Sequence, residues 1–151
     1  MPRILAVDWG ERRIGLAVSD PTGTIASGLP TVTLQHAHEG PRRVSDVARE
    51  VEADSIVVGL PLLLSGERGE AALAAEAFAD ALRTASGLPV AMLDERLTSA
   101  LSQRRIHEMG GRAARGKQAV DRGAAVALLE SWLMRLESEA RRAREAEGED
   151  A

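Results

Sequence analysis

The chain has 151 residues, 44% of them hydrophobic and 28% charged, with 19 basic side chains, 23 acidic ones and no cysteine. One domain of that size can bury about 70% of its surface without disulfides. Zero cysteine excludes thiolate metal sites, cysteine nucleophiles and disulfide scaffolds. The apolar run at residues 4–7 is far too short for a signal peptide or for a membrane span of about 20 residues, so a soluble, cytoplasmic protein with no membrane partner is expected.

Residues 3–9 form an apolar run that ends in an acid, residues 14–19 form a second, and Gly10 lies between them, as a β-hairpin requires. Asp20-Pro21-Thr22-Gly23 has the residues of a type I turn in their preferred places, which predicts a third strand over about residues 24–34. Val44, Val47, Ala48 and Val51 recur at helical spacing. The run at residues 55–58, closed by Gly59-Leu60-Pro61, reads as a buried strand and is followed by a loop over 62–69. Residues 70–85 read as an alanine-rich helix with Leu73, Ala77 and Leu82 near one face and Gly87 as its C-cap.

Residues 88–93 read as a fifth strand. A helix capped by Thr98 or Ser99 and ended by Gly110-Gly111 is expected next. A loop over 110–118 and a last helix over about 119–135 complete the domain, residues 1–136. Beyond Leu136 the only apolar side chains are alanines, and residues 137–151 carry 3 basic and 6 acidic groups. They read as a charged, partly disordered tail, a solvated and fraying helix end with a disordered tip, with Glu137/Arg141 and Arg141/Glu145 at ion-pair spacing.

Acids inside apolar patterns carry the most information, because charged residues are almost never fully buried unless paired. Asp8 shares a strand face with Ile4 and Ala6, and Gly10 after it permits a close backbone or phosphate approach. Asp94 and Glu95 end the fifth strand and point to opposite faces, and periodicity alone does not choose between them. Asp121 stands at helical spacing from Ala124, Ala125, Leu128, Leu129 and Trp132, which puts its carboxylate on an apolar face. A buried anion there needs a partner, either an arginine such as Arg122 or Arg13, or a divalent metal shared with the other acids. Three inward carboxylates without cysteine describe an oxygen-ligand site for Mg²⁺ or Mn²⁺. His36, His38 and His107 have no ligand spacing.

The residues at 103–117 include Arg104, Arg105, Arg112, Arg115 and Lys117 against Glu108 alone. Flexible glycines beside that local charge suit contact with a nucleic-acid phosphate backbone, although a plain solvated loop has the same composition. Lys117 is the single lysine beside 18 arginines, and 26 residues are alanine, a pattern that GC-rich coding explains most simply. Only Trp9, Phe78 and Trp132 are aromatic, which speaks against base stacking on a sheet. Trp9 and Trp132 read as packing.

Together these residues resemble the YqgF/RuvX family, Holliday junction resolvase-like proteins also assigned to maturation of the small-subunit ribosomal RNA precursor. The resemblance spans about residues 3–134 and rests on four motifs in order. They are Asp8-x-Gly10 with Arg13-Ile14-Gly15 and Ser19-Asp20; Val57-Val58-Gly59-Leu60-Pro61-Leu62 with Gly66 and Gly69; Asp94-Glu95-Arg96-Leu97-Thr98-Ser99; and Asp121-x-x-Ala124-Ala125. It implies an α/β ribonuclease H-like fold: a five-stranded mixed sheet, three strands antiparallel and then two parallel, with helices on both faces. It also implies that Asp8, Glu95 and Asp121 are the catalytic, metal-binding acids, that Arg13 and Arg96 are phosphate-side or structural arginines, and that Gly59 is a point of close approach. RuvC-type resolvases carry an acid on the fourth strand; here that strand ends Val58-Gly59-Leu60 without one, so the second acid has to come from the fifth.

The expected activity is a divalent-metal-dependent nuclease that processes the 5′ end of pre-16S rRNA in a ribosome precursor, resolves Holliday junctions, or both. A non-catalytic nucleic-acid or ribosome-assembly module with the same fold is the alternative. An actin-like ATPase fits poorly, because those enzymes close two such domains around the nucleotide. Two symmetric cuts in a junction would call for a homodimer, although no residue pattern marks an interface.

Overall fold

The computed structural model describes residues 3–97 and 113–150, with side chains for residues 3–96 and 123–148. Five strands, β1 (Ile4–Asp8), β2 (Arg13–Ser19), β3 (Ala26–Thr33), β4 (Ser55–Leu60) and β5 (Val90–Asp94), form one sheet in the order β3-β2-β1-β4-β5. β1, β2 and β3 pair antiparallel, whereas β4 pairs parallel with both β1 and β5. The mixed sheet is the one expected from the sequence. Its three parallel strands, β1, β4 and β5, end at the same edge.

Alternation along these strands divides the core into two layers. Leu5, Val7, Ile56, Val58 and Val90 face α1 (Gly40–Glu50) and α2 (Glu70–Ser86), where they meet Val44, Ala48, Phe78, Ala79 and Leu82. Ile4, Ala6, Val57 and Leu93 face the opposite way, onto Ala124, Ala125, Leu128 and Leu129 of α3 (Ala113–Asp150). Three alanines on the buried side of α3, Ala124, Ala125 and Ala127, bring its backbone close to the sheet. Asp8 continues the row of Ile4 and Ala6, and Gly59 continues that of Val57, so both stand on the α3 side.

The turns follow their residues. Gly23 donates its N–H to the Asp20 carbonyl at 2.9 Å and has φ +73°. The Asp20 carboxylate accepts the N–H groups of Thr24 and Ile25, both at 2.8 Å, and the Thr22 hydroxyl. These bonds, led by that from Ile25, hold its pKa far below the usual carboxylate range. Gly87 caps α2 in the left-handed conformation, with φ +70°, as expected.

Two expectations change. The buried side of α2 is Ala72, Ala75, Phe78, Ala79 and Leu82, and Leu73 is half exposed. In so alanine-rich a helix the apolar stripe is not defined by composition, and Phe78 against Trp9, with ring centroids 6.1 Å apart, sets the rotation. Residues 113–118, expected in a loop, are the first turns of α3. The same helix continues through Asp150, and its 38 residues span about 57 Å. Residues 141–148 are all exposed, and the ion pairs Arg135–Glu139 at 3.3 Å and Arg144–Glu137 at 3.5 Å lie along the last turns of the helix from residue 135 on. The expected helix after Thr98 lies outside the described residues. Among the described residues no helix is long and apolar enough to cross a membrane.

Two measurements test this packing. Leu82→Ala is expected to lower stability in urea unfolding by about 2–5 kcal/mol, and Leu73→Ala to change it by no more than about 0.5 kcal/mol. Asp20 has a depressed folded pKa, so its contribution is present above the unfolded value of 3.8 and is lost as pH falls through the folded value. The stability deficit of Asp20→Ala at neutral pH should therefore shrink progressively in unfolding curves recorded below about pH 4.

Candidate active site at the ends of the parallel strands

The carboxyl ends of parallel strands are where α/β sheets leave a crevice, because the backbone there turns away into loops and helices. Here that edge brings together Asp8 at the end of β1, Gly59 near the end of β4, and Glu95, the first residue of a 3₁₀ turn (Glu95–Leu97) that follows β5. Val7 pairs with Val58 and Gly59 with Leu93, so Gly59 lies between Asp8 and the start of the Glu95 turn.

Both carboxylates are buried: Asp8 is 9% exposed and Glu95 only 1%. Neither is without an interaction partner, and the same holds for Arg13. The Glu95 side chain crosses from β5 over β4. A Cβ at Gly59 would stand 2.3 Å from Glu95 Oε1 and 3.0 Å from its Cδ. The missing side chain of Gly59 is thus the space that the Glu95 carboxylate fills. Adjacent strands lie about 4.8 Å apart, so an acid that reaches over β4 comes within about one strand spacing of β1. This is how the fifth strand can serve a place that no residue of the fourth strand supplies.

Of the two close approaches expected at Gly10, by a backbone or by a phosphate, the structure shows the first. A Cβ there would stand 2.3 Å from the carbonyl oxygen of Arg13, so the close approach is made by the hairpin's own backbone. That turn sets Arg13 at the start of β2, half-buried and paired with Thr33, near the Asp8 end of β1, where Asp8 pairs with Gly15. Ser19 of the same motif is fully buried and accepts the N–H of Ile4 at 2.8 Å, which ties β2 to the start of β1.

The remaining expected residues are placed less completely. Asp121 lies on α3, three and four residues before the buried Ala124 and Ala125; its side chain is outside the described residues, as are those of Arg115 and Lys117 on the same helix. Arg104, Arg105 and Arg112 lie outside the described residues altogether. Arg96 is described, and its guanidinium is engaged by Asp94: Nη2 donates to Oδ2 at 2.8 Å and Nε contacts both carboxylate oxygens. That pairing holds the Asp94 pKa below its ordinary value. No signal in the sequence singled out Asp94 as a partner of Arg96, because residues two apart on a regular strand share a face without closing on one another; the 3₁₀ turn brings them together.

Among the described residues no three histidines or acids converge as a metal site. Asp8 and Glu95 are each hard oxygen donors buried at this edge, the chemistry that suits Mg²⁺ or Mn²⁺, and α3, which carries Asp121, packs over the same face.

The RuvX family model, described as Holliday junction resolvase, matches residues 2–135. A protein of Rhodococcus jostii is 42% identical over 137 residues, covering 87% of this chain and 76% of that protein. One of Chloroflexus aurantiacus is 41% identical over 133 residues, covering 86% and 85%. Each bears the name "Putative pre-16S rRNA nuclease". Among solved structures, Thermus thermophilus RuvC in complex with a Holliday junction substrate superposes with a TM-score of 0.54 at 19% identity, over 90% of this chain and 96% of that one. The fold is therefore that of RuvC, ribonuclease H-like.

The contact between Glu95 and Gly59 is testable without any ligand. Gly59→Ala is expected to cost about 1–3 kcal/mol of stability through overpacking. In the double variant Gly59→Ala/Glu95→Ala most of that added cost should vanish, so a thermodynamic cycle by urea unfolding should show strong coupling.

Proposed function

The chain belongs to the RuvX family of nucleases, and from that premise we propose that it hydrolyses phosphodiester bonds at the Asp8–Glu95 edge with a divalent cation, acting on the 5′ end of the small-subunit ribosomal RNA precursor. The observation that carries this reading is the burial of two carboxylates at the ends of parallel strands, with a glycine between them that leaves one of them room. Both carboxylates supply hard oxygen donors, and such donors select a hard cation.

In this reading Asp8 and Glu95 hold Mg²⁺ or Mn²⁺, and Asp121 adds a third carboxylate from α3. When bound, the cation supplies Lewis acidity toward a phosphoryl oxygen and a more acidic water. The protein's own part is to orient and to exclude. Arg13, beside the end of β1, and Arg104, Arg105, Arg112, Arg115 and Lys117 hold the phosphate backbone, and these contacts fix the position of the strand without reading its bases. Arg96 contributes from its pairing with Asp94. The buried edge keeps bulk water from screening the charges there.

Ribosomal RNA in a ribosome precursor is the preferred substrate because relatives above 40% identity carry the rRNA nuclease name, whereas the likeness to RuvC, at 19%, concerns the fold alone. Branched DNA is the second reading, favoured by the family's description as a Holliday junction resolvase; it would be served by a homodimer that makes two symmetric cuts. Either substrate places the protein in the cytoplasm.

The test is cleavage by the pure protein, with Mg²⁺ or Mn²⁺, of a 5′-extended 16S precursor and of a four-way DNA junction. Metal-dependent shortening of the precursor is expected, and Asp8→Asn and Glu95→Gln should each slow it at least about 100-fold while melting as cooperatively as the parent. Cleavage that survives Asp8→Asn would put the reaction elsewhere. Cutting of the junction alone would make DNA the substrate, and tight binding of RNA with no cleavage by any variant would leave a binding module.

A further inference from the structure

We propose that Asp94 and Arg96 are a positioning pair for the proposed reaction: they lock the turn that carries Glu95 and tie the loop after β4 to it. The inference rests on the nuclease reading above and adds two residues and a loop to it.

The two residues flank Glu95 in sequence and close on each other in space. Asp94 Oδ1 accepts the backbone N–H of Arg96 at 2.9 Å, a local side-chain-to-backbone turn that fixes the peptide on either side of Glu95. The Arg96 guanidinium grips the same carboxylate through Nε and Nη2, at 3.1 and 2.8 Å to Oδ2. Its third nitrogen, Nη1, donates to the carbonyl oxygen of Leu64 at 3.3 Å. Leu64 belongs to the loop between β4 and α2, whose turn is closed by Gly66 N–H on Leu63 O at 2.8 Å and Leu63 N–H on Glu67 O at 3.0 Å.

Gly66 has φ +92°, and a Cβ there would stand 3.3 Å from Arg96 Nη1, so the loop backbone approaches the guanidinium closely. One arginine thus joins the end of β5 to the segment that leaves β4 just beyond Gly59. With Asp94 and Arg96 bound to each other on the outer side of the turn, Glu95 is left with the inner side, where it lies 1% exposed over Gly59.

An exposed ion pair of this kind contributes little to stability by itself. Its value lies in geometry, since a carboxylate that must bind a cation needs its backbone held in place. All three guanidinium nitrogens already have partners within the chain, so a phosphate could take Arg96 only by displacing Asp94 or Leu64. That separates positioning from substrate contact.

The experiment measures Mn²⁺ affinity of the full chain by calorimetry without substrate, together with kcat and KM on the precursor and thermal unfolding, for Asp94→Asn, Arg96→Gln, their double variant and Arg96→Lys. Positioning predicts a loss of about 10–100-fold in Mn²⁺ affinity and in kcat for either single variant. It also predicts KM within about twofold of the parent, and a double variant no worse than the singles, because the two residues act as one unit. Arg96→Lys should recover part of the loss, since an ammonium can pair with Asp94 but cannot also span to Leu64. Unchanged Mn²⁺ affinity and kcat in the single variants would overturn the proposal, and so would an Arg96→Gln effect confined to KM, which would make Arg96 a phosphate contact. Asp8→Asn is the control for the parent reading: if it binds Mn²⁺ as well as the unaltered chain does, the metal site is misassigned, whereas if it alone loses binding, only the positioning pair fails.

Discussion

The Glu95 carboxylate lies where the fourth strand has no side chain, and the architecture of the site depends on that one contact. A glutamate at the end of an outer parallel strand could as easily face solvent. It is drawn inward because Gly59, the residue it must cross, presents only backbone, and because the 3₁₀ turn after β5 aims it there. Asp8 meets it from the other side by simple alternation along β1. Two buried acids thus lie at one edge of the sheet, on either side of a strand that contributes neither of them.

The surrounding structure serves this edge in two ways. On the α3 side the packing is made by alanines and a few leucines, which bring a helix close over the ends of the parallel strands and place the backbone of Asp121 near the start of its buried stretch. On the opposite side larger groups, Phe78, Leu82, Ile56 and Val58 among them, fill the layer under α1 and α2 and hold the sheet firm. The thin layer is the one that faces the site. Small side chains there let polar groups stand close to the strand ends without a wide apolar layer between them.

Acidic residues in this chain divide by what they accept and how deeply they lie. Asp20 is partly exposed, and its carboxylate is occupied by backbone N–H groups of its own turn, so it organises a hairpin. Asp94 is partly covered and occupied by Arg96, so it organises the turn beyond β5. Asp8 and Glu95 are buried at the edge where three parallel strands end. Their chemistry is the same as that of the other two; their environments separate them.

Much of this is written in local pattern. Strand alternation alone puts Asp8 with Ile4 and Ala6, the Asp20-Pro21-Thr22-Gly23 and Gly87 signals mark real turns, and the run that ends at Gly59 is a buried strand. These are legible because each depends on residues a few positions apart. The rotation of α2 is not, since alanines on all sides leave its stripe undefined until Phe78 meets Trp9 from another element. The choice between Asp94 and Glu95 cannot be made from alternation either: it is set by the space above Gly59, about 36 residues earlier in the chain, and by Arg96 reaching to Leu64. Residue types and periods determine which face a side chain takes; which side chains then meet is decided by strand pairing, which brings distant segments to one edge and tests whether there is room for them.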